Sequence, residues 1–222
     1  KEGEEPCHDE QAKQLRPLRI AAQGAPPAPK LDLASGDKRE AITVTMPKLD
    51  RNGLVPVSWI NRTQWTAPSV PLLRSFALAP GTTTANETDL APSPYDPAHQ
   101  VVLSPSSADP VTLELIINNK DEAPHPFHLH GHKFHVMVLS ESNVGFGTYN
   151  PEGPNDDAEW FDEYTAPYRD TVSVPRRGFA ILRWKTDNPG VWAMHCHVLV
   201  HMQTGMALAI VDQADKIGQL GF

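Results

Sequence analysis

Residues 195–197 read His-Cys-His, inside the stretch HCHVLVHMQTGM at 195–206, and that order constrains the fold more than any other feature of the chain. If residues 191–197 form an extended strand, successive side chains point to opposite faces, so His195 and His197 look one way and Cys196 the other. One strand then serves two sites. About seventy residues earlier, HPFHLHGHKFH at 125–135 supplies a second concentration, and the two stretches together hold eight of the ten histidines. A fold that uses both must bring distant segments side by side.

The remaining pattern predicts β structure throughout. Residues 42–46 and 55–60 flank the turn KLDRNG and read as a hairpin, and VTLELII at 111–117 alternates as a half-buried strand does. Further strands are expected at 134–139, 171–174, 179–184, 191–197 and 206–211. With 22 prolines marking turns, strands at this spacing favour a sandwich or barrel with little helix. Two segments stand apart: residues 1–30, ending in QGAPPAPK, read as the tail of a preceding unit and a linker into a domain spanning 31–222. Residues 141–169 read as a long loop rich in Gly, Pro, acids and aromatics, with no strand signal.

The face of the strand that carries Cys196 can assemble a thiolate, the imidazoles of His201 and His125, and the thioether of Met206 as a weak axial donor. That is the ligand set of a blue-copper electron-transfer centre. On the opposite face His195 and His197 can join His128 and His130, two apart in a strand-like HLH, to give four imidazoles suited to copper or zinc. Cys196 and its neighbours would link the two sites over roughly 10–15 Å, the span of a few extended residues. A lone HxH is commonly a surface accident and a lone apolar-strand Cys a core residue, but ligand types, alternation and the position of Met206 together favour copper. His132 reads as a residue behind the ligands or in packing, His135 as part of a strand, and His8 and His99 as exposed residues without ligand company.

The formal charge of -8, from 27 acidic and 19 basic residues, leaves no basic patch for nucleic acid or an anionic membrane. No apolar run approaches the roughly 20 residues of a spanning helix, and KEGEEPCHDE lacks the apolar core of a signal peptide. The triplets beginning at Asn61 and Asn86 are N-glycosylation acceptors in polar, turn-like stretches and predict secretion to the extracellular side.

HPFHLHGH and HCHVLVHMQTGM resemble, in that order, the two C-terminal copper motifs of the multicopper oxidases, the family of laccases, ascorbate oxidases, bilirubin oxidases and fungal ferroxidases. TDNPGVWAMHCH at 186–197 and RDTVSVP at 169–175 resemble stretches of fungal laccases, and EPCHDEQAKQLRPL at 5–18 resembles the segment leading into their third domain. The resemblance implies an all-β, cupredoxin-like Greek-key β-sandwich. It implies that His125, Cys196 and His201 bind type 1 copper with Met206 axial. His128 matches a type 2 ligand, and His130, His195 and His197 match type 3 ligands. Two departures stand out. Met206 occupies an axial position that is Leu or Phe in most laccases of this kind, and the chain carries only four of the eight histidines of the family's trinuclear cluster.

The expected activity is that of a laccase-like oxidase, active only with N-terminal domains supplied by another chain. Phenols or related aromatics would give single electrons at the edge of His201, and Cys196, His195 and His197 would pass them to a cluster that reduces O2 to water, with four coppers in the full assembly. Trp160, Phe161, Tyr164 and Asp162 in the long loop are candidates for the donor pocket. An alternative is a ferroxidase or other metal-ion oxidase, for which Asp157, Asp162 and Glu163 are candidate cation ligands, and a further one is a one-copper electron carrier without catalysis. Cys7, the one cysteine besides Cys196, is expected to bond the partner, a chain of two cupredoxin domains, although the family resemblance also allows a disulfide within the preceding domain.

Overall fold

The computed structural model describes residues 24–47, 56–78, 95–142, 147–153, 155 and 158–220. Cys7, His8, Asn86, Asp157 and the turn KLDRNG lie outside the described residues. Among the described residues, twelve strands form two sheets that enclose a shared apolar core. In chain order they are β1 (Lys38–Thr45), β2 (Trp59–Ile60), β3 (Val102–Leu103), β4 (Thr112–Asn119), β5 (His125–Leu129), β6 (Phe134–Ser140), β7 (Ala158–Trp160), β8 (Tyr168–Arg169), β9 (Thr171–Val174), β10 (Phe179–Lys185), β11 (Gly190–Cys196) and β12 (Ala207–Asp212). The larger sheet runs β2-β1-β4-β10-β6-β7 with β8 also against β6, and the smaller runs β3-β12-β11-β5-β9. Pairing is antiparallel except between β1 and β4 and between β3 and β12.

Strand β4 shows why the sandwich has more than two layers. Its odd-numbered residues Leu113, Leu115 and Ile117 enter the core between the sheets, as period-2 alternation requires. Ile116 points the other way and is also buried, packing with Met137, Phe179 and Ile181. That outer face is covered by residues of the long loop, Tyr149, Ala158 and Phe161, and by Ala28 from the segment before the first strand. The smaller sheet is treated alike: Leu208 and Ile210 of β12 face inward, while Ala209 and Val211 pack against Leu72 and Phe76 of helix α1 (Leu72–Leu78) and Ile217 of helix α3 (Ala214–Ile217).

The long loop is not free of strands. β7 and β8 pair with β6 at the sheet edge, a contact too short to leave a periodic signal in the sequence. The hairpin is also different from expectation, because β2 is only two residues long and the other neighbour of β1 is the distant, parallel β4. Residues 24–30 do not hang free: Ala28 N–H donates to the Glu163 carbonyl and Lys30 O accepts from Thr112 Oγ1.

Glu114 is the charged exception on the outer face of β4. Its side chain is 3% exposed and is gripped from both neighbouring strands, by Arg39 Nε at 2.6 Å and Arg183 Nε at 2.9 Å. Breaking a buried ion pair at one partner commonly costs about 3–5 kcal/mol because the other charge is stranded. Both arginines here keep access to solvent, so Glu114→Ala is expected to lower stability by about 2–3 kcal/mol. Urea denaturation measures this as a lower midpoint; an unchanged midpoint would mean that water fully replaces the carboxylate.

Candidate metal centre

The pairing of β5 with β11 builds the site. Cys196 stands opposite Phe127 and His195 opposite His128. Directly opposed residues share a face at about 4.5–5.5 Å between Cβ atoms, so this register puts two imidazoles together on one side and the thiol on the other. Cys196 enters the core between the sheets with Phe127, Leu129 and Met194. His125, at the start of β5, reaches the same side, and the chain beyond β11 turns through helix α2 (Leu199–Gln203) to return His201.

Three donor atoms then converge. Cys196 Sγ lies 3.7 Å from His125 Nδ1 and 3.5 Å from His201 Nδ1, and the two nitrogens are 3.1 Å apart. The centre of that triangle is about 2 Å from each corner, the length of a metal–imidazole bond. Cys196 and His125 are buried, and Met206 is buried in the same core. Main-chain bonds tie three of the four together: Cys196 N–H donates to Met206 O, and Met206 N–H donates to His201 O. One sulfur, two imidazoles and a nearby thioether suit copper, whereas a hard cation would find no oxygen among these four side chains. Burial raises the Cys196 thiol above its ordinary range, and burial followed by the proximity of His125 lowers His201. A bound metal would take the place of the thiol proton.

The turn carrying His201 and Met206 is held from outside. Ser58 N–H donates to Thr204 O, the two hydroxyls of Ser58 and Thr204 are 2.8 Å apart, and Trp65 N–H donates to Gly205 O. Gly205 has φ +117, and a Cβ there would stand 2.7 Å from the Ser58 carbonyl oxygen, so the close approach requires glycine.

The second group is wider. His130 Nε2 and His195 Nε2 are 3.1 Å apart, and the His128 ring lies 4.7, 5.8 and 6.0 Å from those of His130, His195 and His197. His128 Nδ1 is held by Thr171 Oγ1 and the Asp170 carbonyl, and His195 Nδ1 by the Cys196 carbonyl, so each turns Nε2 toward the others. His130 is lowered by burial and then by its three imidazole neighbours. Among the described residues, the trio of His125, Cys196 and His201 is the group whose donors all lie within 4.8 Å of one another.

The loop residues go elsewhere. Phe161 packs on the outer face of the larger sheet, away from Cys196, while Trp160 and Tyr164 are 58% and 73% exposed. Asp162 accepts from the N–H groups of Tyr164 and Thr165, which hold its carboxyl below the ordinary range and fold the loop. Glu163 uses its carbonyl to hold Ala28. None of these contacts reaches the trio. His135 Nε2 bonds the Pro26 carbonyl, and exposed His99 pairs with Asp96 at 2.6 Å. The acidic residue that does touch the trio is Asp121, whose Oδ2 is 2.8 Å from His125 Nε2 and whose Oδ1 accepts from Met46 N–H. Its position four residues before His125 was the available signal. Asn61 is exposed in a turn, its Oδ1 accepting from Thr43 N–H.

A family model described as multicopper oxidase matches residues 62–216. An iron transport multicopper oxidase of Kluyveromyces lactis is 34% identical over 180 residues, 79% of this chain and 26% of that protein. Laccase-3 of Oryza sativa is 42% identical over 96 residues, 43% of this chain and 15% of that protein. Among solved structures, Fet3p, titled a multicopper oxidase that functions in iron import, aligns with TM-score 0.70 at 28% identity over 89% of this chain and 35% of its own. The architecture is therefore the cupredoxin-like sandwich found in such oxidases. The chain spans about a quarter of the length of the curated iron-transport relative it matches.

Cobalt(II) titration of metal-free protein tests the trio. Metal binding must displace the Cys196 proton, so apparent affinity should rise about tenfold per pH unit between roughly pH 7 and 8, with thiolate-to-cobalt absorption. His201 adds no proton release in that window: its lowered pKa leaves it neutral there, and any stability linked to its neutral form is lost only as pH falls below the ordinary imidazole range. Cys196→Ser should abolish both the slope and the absorption. A pH-independent affinity would remove the thiolate from the ligand set.

Proposed function

Because the chain belongs to the multicopper oxidase family, we propose that it is the C-terminal part of a copper-dependent oxidase that takes single electrons from a reductant and delivers four of them to O2. The observation that carries this reading is residues 195–197, in which the cysteine of the trio sits between two imidazoles of the second group. In this reading His125, Cys196, His201 and Met206 hold type 1 copper, His128 a type 2 copper, and His130, His195 and His197 a type 3 pair. Bound copper would supply one-electron acceptance at the first site and reduction of O2, with four protons, to two waters at the second. Four more imidazoles would come from preceding domains, with residues 1–30 as the tail and linker and 31–222 as the third cupredoxin domain. Whether those domains are joined through Cys7, and whether Asn61 and Asn86 carry glycans on a secreted protein, belong to the same proposal.

For the reductant, the Asp121–His125 contact favours a metal ion, ferrous iron in particular. A carboxylate offers a hard oxygen ligand, and this one is 16% exposed while hydrogen-bonded to the far nitrogen of a buried imidazole. A cation held there is one hydrogen bond from the ring whose Nδ1 faces Cys196. Asp121 also fixes the ring, leaving Nδ1 free for the metal, as carboxylates behind metal-bound histidines do. Four relatives named as iron transport oxidases align over 71–82% of the chain, a fifth over 45% and the rice laccase over 43%. The laccase-like reading keeps its own support. Leu199 and Val200, 63% and 56% exposed beside His201, present an apolar surface to which a phenol could bind.

In the complete enzyme, Cys196→Ser is expected to remove the intense red absorption and all oxidase activity; retention of the colour would refute the assignment. Asp121→Asn separates the reductants, since an amide still accepts from His125 but is a poor ligand for iron. Its kcat/KM for ferrous iron should fall at least about tenfold, roughly 1.4 kcal/mol, with phenol oxidation changing less than about twofold. Equal losses on both substrates would assign Asp121 to holding His125 alone and favour the aromatic donor.

A further inference from the structure

Asp212, the last residue of β12, is fully buried, and neither of its carboxylate oxygens makes an aligned hydrogen bond among the described residues. Its nearest counter-group is His132, whose Nε2 lies 2.9 Å from Oδ2 and whose side chain is 3% exposed. Burial pushes the Asp212 carboxyl up, His132 pulls it back, and Asp187 nearby raises it again. An apolar residue would fill this place at lower cost, since a carboxylate without aligned donors costs free energy wherever it is buried. The contact therefore calls for a role outside stability.

What it touches supplies one. His132 closes the turn that begins at Leu129 and carries His130; Leu129 N–H donates to the Asp170 carbonyl, and further holds on the turn come from Asn188 and from β11. Gly131 has φ +72 and its missing Cβ would lie 2.2 Å from the Trp192 ring, so the turn presses directly on the indole. Asn188 Nδ2 donates to Gly131 O, Trp192 Nε1 donates to Asn188 O, and His130 N–H donates to Ala193 O. His132 meets Trp192 edge-on at 6.0 Å between ring centroids. His195, on the same strand three residues after Trp192, faces His130 at 3.1 Å. The turn and strand β11 are thus joined on one side by the indole and on the other through His132 to β12, which is itself paired with β11 from Gly190↔Asp212 to His195↔Ala207.

We propose that His132 and Asp212 are a positioning pair that, with Trp192, sets the distance between His130 and His195 and so controls copper retention in the imidazole group. This rests on the assignment of that group to copper. The pair touches neither donor atoms nor the thiol site, so its removal should affect one centre and spare the other. Loss of such supporting contacts commonly weakens metal binding about 10- to 100-fold.

The test compares Asp212→Leu and Asp212→Asn in the complete enzyme, with Trp192→Phe as a second route to the same turn. In Asp212→Leu and Trp192→Phe, copper measured after dialysis against a chelator should fall while the red absorption per chain and the reduction potential of the thiol site stay at wild-type values. Asp212→Asn, which keeps a polar oxygen beside His132 Nε2, should retain copper. In metal-free protein, exchange of the His130 amide should be at least about tenfold faster in Asp212→Leu, a readout that needs no copper. Wild-type copper retention and wild-type exchange in Asp212→Leu would overturn the proposal. So would parallel loss of both centres in Trp192→Phe, or the same loss in Asp212→Asn as in Asp212→Leu. Should Asp212→Leu fail to fold, Trp192→Phe decides. A wild-type enzyme without red absorption would instead defeat the copper assignment, and the exchange measurement would still judge the pair.

Discussion

The register between β5 and β11 is the constraint on which the rest depends. Sliding one strand by a single residue would turn every side chain to the opposite face, sending Cys196 into the imidazole group and His195 into the core. What prevents the slip is burial: Phe127, Leu129, Met194 and Cys196 fill the space between the sheets, and no polar residue of either strand could replace them there without losing its hydrogen bonds. Hydrophobic packing thereby decides which donors meet.

The covering layers make that register rigid. Residues from the long loop and from 24–30 shield the outer face of the larger sheet, and α1 and α3 shield that of the smaller. A sheet covered on both sides has little freedom to open, which suits a site whose ligands come from two strands and a helix turn. The turn at 201–206 gains the same rigidity from residues 58–65, through the bonds at Thr204 and Gly205. The packing thus fixes the positions of His125, Cys196 and His201 without a metal.

Three buried or half-buried carboxylates mark distinct uses of charge. Glu114 is neutralised by two arginines and braces the outer face of the large sheet. Asp121 is hydrogen-bonded to a ring in the thiol site and keeps a route to solvent. Asp212 is closed off with His132 at the far end of the small sheet. All three are the same chemical group, and differing burial and partners separate bracing at Glu114, a contact to an imidazole at Asp121 and a closed-off contact with His132 at Asp212.

By itself the amino-acid sequence determined the class of fold and which side chains are candidate donors. Period-2 alternation at 111–117 and the short apolar runs at 134–139 and 179–184 are local properties, and His-Cys-His in an extended strand can only divide its side chains between two faces. Strands 171–174 and 179–184 were legible to within a residue for that reason. What only the tertiary structure decided were the contacts between segments far apart in the chain. The parallel pairing of β1 with β4, the edge strands β7 and β8, and the packing of Phe161 on the outer face of the large sheet all depend on which surfaces needed cover. The partnership of His132 with Asp212, 80 positions apart, was equally invisible, because a carboxylate at a strand end reads as solvent-exposed until the fold buries it. Local periodicity is written in the chain, but which charge loses its water is settled only when the layers close.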